Sequence, residues 1–105
     1  MSQHEAKFQV GQIIHHKLFD YLGVVFDVDS VFQGTEEWYE RMARSQPPKD
    51  RPWYRVLVNE ADHVTYVAER NLEAAEKPQR ISHPFIDRLF SEFDGKRYIL
   101  RHQMH

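Results

Sequence analysis

The stretch Trp53-Tyr54-Arg55-Val56-Leu57-Val58-Asn59, followed by Glu60-Ala61-Asp62-His63 and then Val64-Thr65-Tyr66-Val67-Ala68, decides the fold. Its two outer runs are rich in β-branched and aromatic residues, which suit a pleated, half-buried surface. The four residues between them are short and polar enough to turn the chain. The stretch therefore predicts two strands, Trp53–Asn59 and Val64–Ala68, joined as a hairpin. Val56, Val58 and Tyr66 fall on its apolar alternation and are expected in the core.

The same pattern continues toward the N-terminus. Tyr21 to Asp29 predicts a strand, with Val24, Val25, Phe26 and Val28 as β-formers and Asp27 and Asp29 alternating with them. Gly23 is placed where another backbone comes close. Phe8 to His16 predicts an earlier strand, in which Val10 and Ile14 face inward and Gly11 marks a bulge or bend. Lys17 to Asp20 is the short connection between these two strands.

A helix interrupts the strands. Thr35 is its predicted N-cap, Glu36 and Glu37 suit the positive end of the dipole, and Arg41 and Arg44 suit the negative end. Glu37 with Arg41, and Glu40 with Arg44, have the spacing of i,i+4 ion pairs. Trp38, Tyr39 and Met42 form an apolar stripe, and Pro47 and Pro48 stop the helix. Past the hairpin, Asn71 and Leu72 close the section and Glu73 to Arg80 reads as a polar loop. Pro84 then fits the first turn of a second helix, with Phe85, Ile86, Leu89, Phe90 and Phe93 on one face and Gly95 ending it. Arg97 to Arg101 predicts a last short strand. The order β-β-α-β-β-α-β, with about five short strands, predicts a mainly β domain built as a small barrel.

The totals bound the function. With 105 residues the chain fits one domain, residues 1–105. There is no cysteine, so disulfides, thiolate zinc sites and a cysteine nucleophile are excluded. The longest apolar run, Leu22 to Phe26, is too short to span a bilayer, and the polar start of the chain lacks a signal-peptide core, so the expected place is the cytoplasm with no membrane contact. The net charge of −2 argues against a general nucleic-acid glue. It is unevenly spread, with 8 Lys/Arg against 13 Asp/Glu in residues 1–76 and 6 against 3 in residues 77–105. A basic C-terminal third can face an anion, though a solvated surface accounts for it as well.

Taken together, the strings are more specific than their parts. Lys7-Phe8-x-Val10-Gly11-Gln12 is followed by His16-x-x-Phe19-x-Tyr21-x-Gly23-Val24-Val25-x-Asp27-Val28-Asp29, then Pro52-Trp53-Tyr54-x-Val56-Leu57-Val58 and Thr65-Tyr66-Val67-Ala68-Glu69-x-Asn71-Leu72. This resembles the heat-shock protein HspQ family, also called the YccV-like or hemimethylated-DNA-binding domain family, along most of residues 7–72. His83-Pro84-x-Ile86 and Phe93 resemble a form of the family with a C-terminal helix and strand. The chain departs from the family where Ser30 stands in place of a frequent proline, which loosens the turn there. The resemblance implies an SH3-like barrel and two activities. One is binding hemimethylated DNA; the other is acting as an adaptor or specificity factor for the Lon protease. It implies no catalytic residue and no cofactor. Related domains occur in a plastid Clp-protease adaptor and in an F-box protein, so proteolysis recurs.

Site candidates follow from residue chemistry. Trp38, Tyr39, Arg41 and Trp53 are the candidate partner contacts, because Trp and Tyr are enriched as anchors in interfaces. Arg44, Lys49, Arg51 and Arg55 surround two prolines and an aromatic, a combination suited to phosphates and a stacked base. The same cations suit an acidic protein surface, and Glu36, Glu37, Glu40 and Asp50 dilute them. Asp27 and Asp29 are a carboxylate pair on one strand, and Ser30, Ser82 and Thr65 are hydroxyls, but no nucleophile-elbow, phosphate-loop or zincin motif accompanies them. The expectation is a non-enzyme. Seven histidines raise the question of metal, yet His15 and His16 are neighbours that point to opposite strand faces, and His102 and His105 lie at the terminus. Three function classes stay open: an adaptor for Lon, a DNA-binding regulator, and a structural barrel that self-associates as a homo-oligomer.

Overall fold

The computed structural model describes residues 5–101. Its main sheet has five antiparallel strands in the order β4-β3-β2-β1-β5. These are β1 Ile13–His16, β2 Leu22–Asp29, β3 Trp53–Val58, β4 Val64–Ala68 and β5 Leu72–Ala74. A separate ribbon pairs β6 Phe90–Phe93 with β7 Tyr98–Leu100. Two helices interrupt the strands, α1 Glu36–Met42 and the single turn α2 Ile86–Leu89. The domain is mainly β, as expected. Pairing runs from β4 to β5 and does not join them among the described residues, so the sheet is open rather than a closed barrel.

The expected single core is replaced by two, one on each face of the sheet, with a third, smaller cluster of Ala43, Trp53 and Ala68 beneath α1. Ile14, Val25, Tyr54, Val56, Val67 and Leu72 pack together with Phe8 on one face of the sheet. Ile13, Val24 and Leu57 pack on the other face against Ile81, Phe90 and Tyr98. Ile14, Val24, Val56 and Val58 are buried as the alternation predicts, whereas Val10, Phe26 and Tyr66 are only partly so. Phe26 is displaced by an irregularity in register, because Val25 faces Val56 while Asp27 faces Arg55. The extra residue rotates the strand and brings Asp27 and Asp29 toward Arg55.

Two glycines permit close backbone approaches. Gly23 has Leu57 O only 2.7 Å from where a Cβ would sit, as its position in the strand predicts. Gly11, at φ +93°, has Tyr98 O standing where such a Cβ would sit, and its carbonyl accepts from Tyr98 N at 2.8 Å. Gly11 thus docks the C-terminal ribbon onto the sheet.

Three predicted elements differ. The first strand shortens to Ile13–His16, because Gly11 breaks the ladder. The loop begins as a strand: Leu72–Ala74 pairs with β1, with His16 opposite Leu72. The second helix stops at Leu89 instead of running to Phe93. Asp94 and Gly95 form a tight turn in which Asp94 Oδ1 accepts from Lys96 N and Arg97 N, both at 2.9 Å. That turn folds Phe90–Phe93 back on Tyr98–Leu100, with the Phe90 and Phe93 rings 5.2 and 4.9 Å from Tyr98. An Asp-Gly pair between apolar runs is a hairpin signal, and here it overrides the helical spacing.

Phe90 is 2% exposed. Phe90→Ala is expected to lower unfolding free energy by about 3–5 kcal/mol in urea titration. Gly11→Ala should cost at least about 1–2 kcal/mol for the left-handed backbone alone. Hydrogen exchange should then show the β6–β7 amides opening first.

Candidate functional site

Helix α1 carries most of the predicted partner contacts, and its start is fixed locally. Thr35 Oγ1 accepts from Trp38 N at 3.0 Å, the cap the sequence predicts. The Glu37–Arg41 and Glu40–Arg44 pairs are not formed among the described residues; Glu36 instead binds Lys49. Past Met42 the chain runs on to Pro47, whose carbonyl accepts from Tyr39 Oη at 2.6 Å.

Under the helix lies an aromatic stack. Phe32 lies 4.8 Å from Trp53 and 5.9 Å from Trp38, and Tyr66 lies 5.2 Å from Trp53 and 5.6 Å from Trp38. Trp53 is 1% exposed and donates through Nε1 to Pro48 O at 3.1 Å. It is therefore the floor of the stack, and it also lines the groove that opens beside α1. Trp38 and Tyr39 are half-buried, so each spends part of its ring area on this stack.

The structure separates the predicted basic set. Lys49 pairs with Glu36 and sits 4.3 Å from the Tyr39 ring. Arg55 reaches Asp29 at 2.8 Å and Asp27 at 3.2 Å, and lies 4.6 Å from the Tyr66 ring. Asp29 also accepts from Tyr66 Oη at 2.7 Å. Burial first and this bond second push the Tyr66 hydroxyl up to about 12, so it stays a donor. The Asp27–Asp29 pair considered for acid–base work is thus spent on holding Arg55. Arg44 and Arg51 are exposed and, with Arg41, form no ion pair among the described residues. Arg41, Arg44 and Arg55 line one groove; Lys49 and Arg51 do not.

That groove has a volume of about 720 Å³. It lies between α1 and the β1–β2 turn, along β4. Its edges carry side chains that are not among the predicted contacts. Phe19 is 74% exposed and Met42 61%, and Leu18 and Val64 are also exposed. The available signal was an apolar pair, Leu18-Phe19, in a four-residue connection where polar residues are usual.

Two histidines hold that turn by opposite means. His15 lies between two carboxylates, with Nε2 2.7 Å from Asp20 and Nδ1 2.8 Å from Glu73. The Asp20 contact, then the Glu73 contact, raise its pKa above the usual 6.5. His16 is buried, and its Nδ1 accepts from Leu18 N and Phe19 N, both at 3.1 Å. Burial, then the charge on His15, lower its pKa. The two side chains point apart, as adjacent strand residues must. No group of three metal-ligating side chains comes together among the described residues. His102 and His105 lie outside the described residues.

The sign of each linkage follows from these shifts. His15 contributes stability that is complete below the unfolded value of about 6.5 and fades as pH rises through the raised folded value. His16 contributes stability that is complete above about 6.5 and fades as pH falls. Thermal melts of wild type and His15→Gln should therefore differ most near pH 5–6 and converge as pH rises toward about 8. A difference that grows with pH would contradict the clamp.

Comparison with known proteins bears on what such a groove serves. The family described as "Hemimethylated DNA-binding protein YccV like" matches residues 6–97. F-box only protein 21 of Homo sapiens is 37% identical over 94 residues, covering 88% of this chain, and that of Pongo abelii matches equally. The Mus musculus protein is 36% identical over the same length. The chain spans 15% of the length of these curated relatives, so it corresponds to one domain within them. A match over residues 6–97, which includes the whole open sheet and runs on through β6, places this chain in the YccV-like, hemimethylated-DNA-binding family.

Proposed function

We propose that this domain is a non-catalytic protein-binding adaptor that changes which substrates the Lon protease degrades. The observation that carries the protein-binding reading is the groove beside α1, with four exposed apolar side chains, Leu18, Phe19, Met42 and Val64, on its edges. Exposed apolar groups gathered around one concavity mark a contact surface for another macromolecule. The choice of Lon rests on the resemblance to the HspQ family. The domain supplies recognition only, since its paired carboxylates are bound to Arg55 and, among the described residues, its groove holds no nucleophile beside a free base.

A second reading, a regulator that binds hemimethylated DNA, is favoured by the family's description. Among the cations considered for it, Lys49 and Arg55 already have carboxylate partners, leaving Arg44 and Arg51 for phosphates. A phosphate contact adds to the salt dependence of binding, so the two readings separate in a salt titration.

The test is degradation of a panel of unfolded clients by purified Lon, with and without the domain. Phe19→Ser should abolish the domain's effect while leaving its melt nearly unchanged, because the ring is largely in solvent. Trp38→Ala should cost both, since its ring packs on Phe32, Trp53 and Tyr66. Clients degraded alike with and without the domain would remove the adaptor reading. Preference for hemimethylated over fully methylated duplex by about 1–3 kcal/mol, with affinity for both duplexes falling in Arg44→Glu with Arg51→Glu, would install the DNA reading in its place.

A further inference from the structure

Every residue of β4, from Val64 through Ala68, lines the groove. Successive strand residues point to opposite faces, so a cavity touching all five runs along the strand's edge and not over one face. β4 is the terminal strand of the sheet, and no strand pairs with its outer edge among the described residues. Natural edge strands are commonly blunted by lysine, proline, inward charges or bulges. Val64-Thr65-Tyr66-Val67-Ala68 has no lysine, proline or charge, and its pairing with β3 is regular.

The two sides of this edge differ in chemistry. On one side Thr65 is bonded to Tyr21 Oη at 2.7 Å, and Val67 lies in the core with Ile14. Beyond them stands a tier of rings, Phe19 on His16 at 4.8 Å and His16 on Tyr21 at 5.0 Å, with Leu18 exposed beside it. On the other side Tyr66 lies beneath Trp38 and Arg55, and Arg41 and Arg44 line the same cavity. Among the described residues that line the groove there is no carboxylate, in a chain that has 16 Asp and Glu. The lining is positive on a protein whose net charge is −2.

We propose that β4 is extended by a segment of a partner protein that adds to the sheet as a strand, its apolar side chains toward Leu18, Phe19 and Tyr21 and its acidic side chains toward Arg41 and Arg44. This rests on the protein-binding reading and specifies the chemistry of the partner. Main-chain hydrogen bonds to the edge supply affinity, and the two unlike sides supply the alternation that is read. Unfolded or unstructured chains present such segments readily.

The probe is a fluorescein-labelled peptide of about eight residues, alternating valine and glutamate, titrated with the full chain by fluorescence polarisation. One control replaces glutamate with lysine, and another places proline at alternate positions so that strand hydrogen bonds cannot form. Both controls should bind at least about tenfold more weakly, as should the parent peptide to Arg41→Glu with Arg44→Glu and to Phe19→Ser. The replaced side chains are exposed, so melts of these variants serve as the folding check. Equal binding of the proline peptide, or binding unchanged by the arginine reversals, would overturn the proposal. So would a wild-type dimer, seen by sedimentation, that Phe19→Ser dissolves while no peptide binds, or displacement of the peptide by hemimethylated duplex. The Lon assay run in parallel separates the two levels. Altered degradation without peptide binding would remove the edge-strand proposal alone, and peptide binding without altered degradation would remove only the adaptor reading.

Discussion

The domain depends on burying both faces of β2 and β3 at once. Val24 and Val25 are neighbours and each is fully buried, on opposite sides; Val56 and Leu57 repeat this on the partner strand. A five-stranded sheet of this size has enough chain to cover one face by its own strands, as Ile14, Tyr54, Val67 and Leu72 do. The second face needs another layer, which the segment from Ile81 to Tyr98 supplies. That layer is attached through the Gly11–Tyr98 backbone contact, the Gln12–Arg97 bridge and Arg97 Nη2 donating to Val10 O at 3.0 Å. The C-terminal ribbon is thus part of the fold's hydrophobic balance and not an appendage.

This requirement explains what the sequence could reveal and what it could not. The hairpin β3–β4, the strand β2, the Thr35 cap and the close approach at Gly23 are local properties of composition and spacing, and they read correctly. The two cores do not follow from alternation, because runs such as Val24-Val25 and Val56-Leu57 look like strong strands without saying that both sides will be covered. The second helix was misjudged at Phe90–Phe93 because Phe85, Ile86, Leu89, Phe90 and Phe93 satisfy a helical period. The Asp94-Gly95 turn and the rings around Tyr98 outweigh that preference through contacts with residues distant in sequence.

The site shows the same division. The identity of α1 as an aromatic element was legible, as was the concentration of arginines around it. Which rings stay exposed was not, because exposure depends on what Phe32, Trp53 and Tyr66 leave uncovered. Charge followed a similar course. Lys49 and Arg55 looked available in the sequence but are engaged by Glu36, Asp27 and Asp29. Arg55 packs on Tyr66 while its charge is met by two carboxylates, so the cation braces the stack. The unpaired arginines near the groove then set the sign of its field, although the whole chain is slightly acidic.

The β1–β2 turn joins these features. It presents Leu18 and Phe19 on the groove's edge although Asp20 there adopts a left-handed backbone, at φ 55°. A short polar residue tolerates that region better than most, and Asp20 gains a bond to His15 in the same position. Neutral His16 accepts the two amides of Leu18 and Phe19. If His16 were protonated, Nδ1 would become a donor and both bonds would be lost. Burial disfavours a proton on His16, and the adjacent His15, drawn toward its charged form by Asp20 and Glu73, adds to that effect. The pair therefore fixes the turn by opposite preferences, His15 drawn toward the charged form by Asp20 and Glu73 and His16 toward the neutral acceptor by its burial. An exposed aromatic held this way loses little conformational freedom on contact with a partner, which is the condition under which a single ring contributes most to affinity.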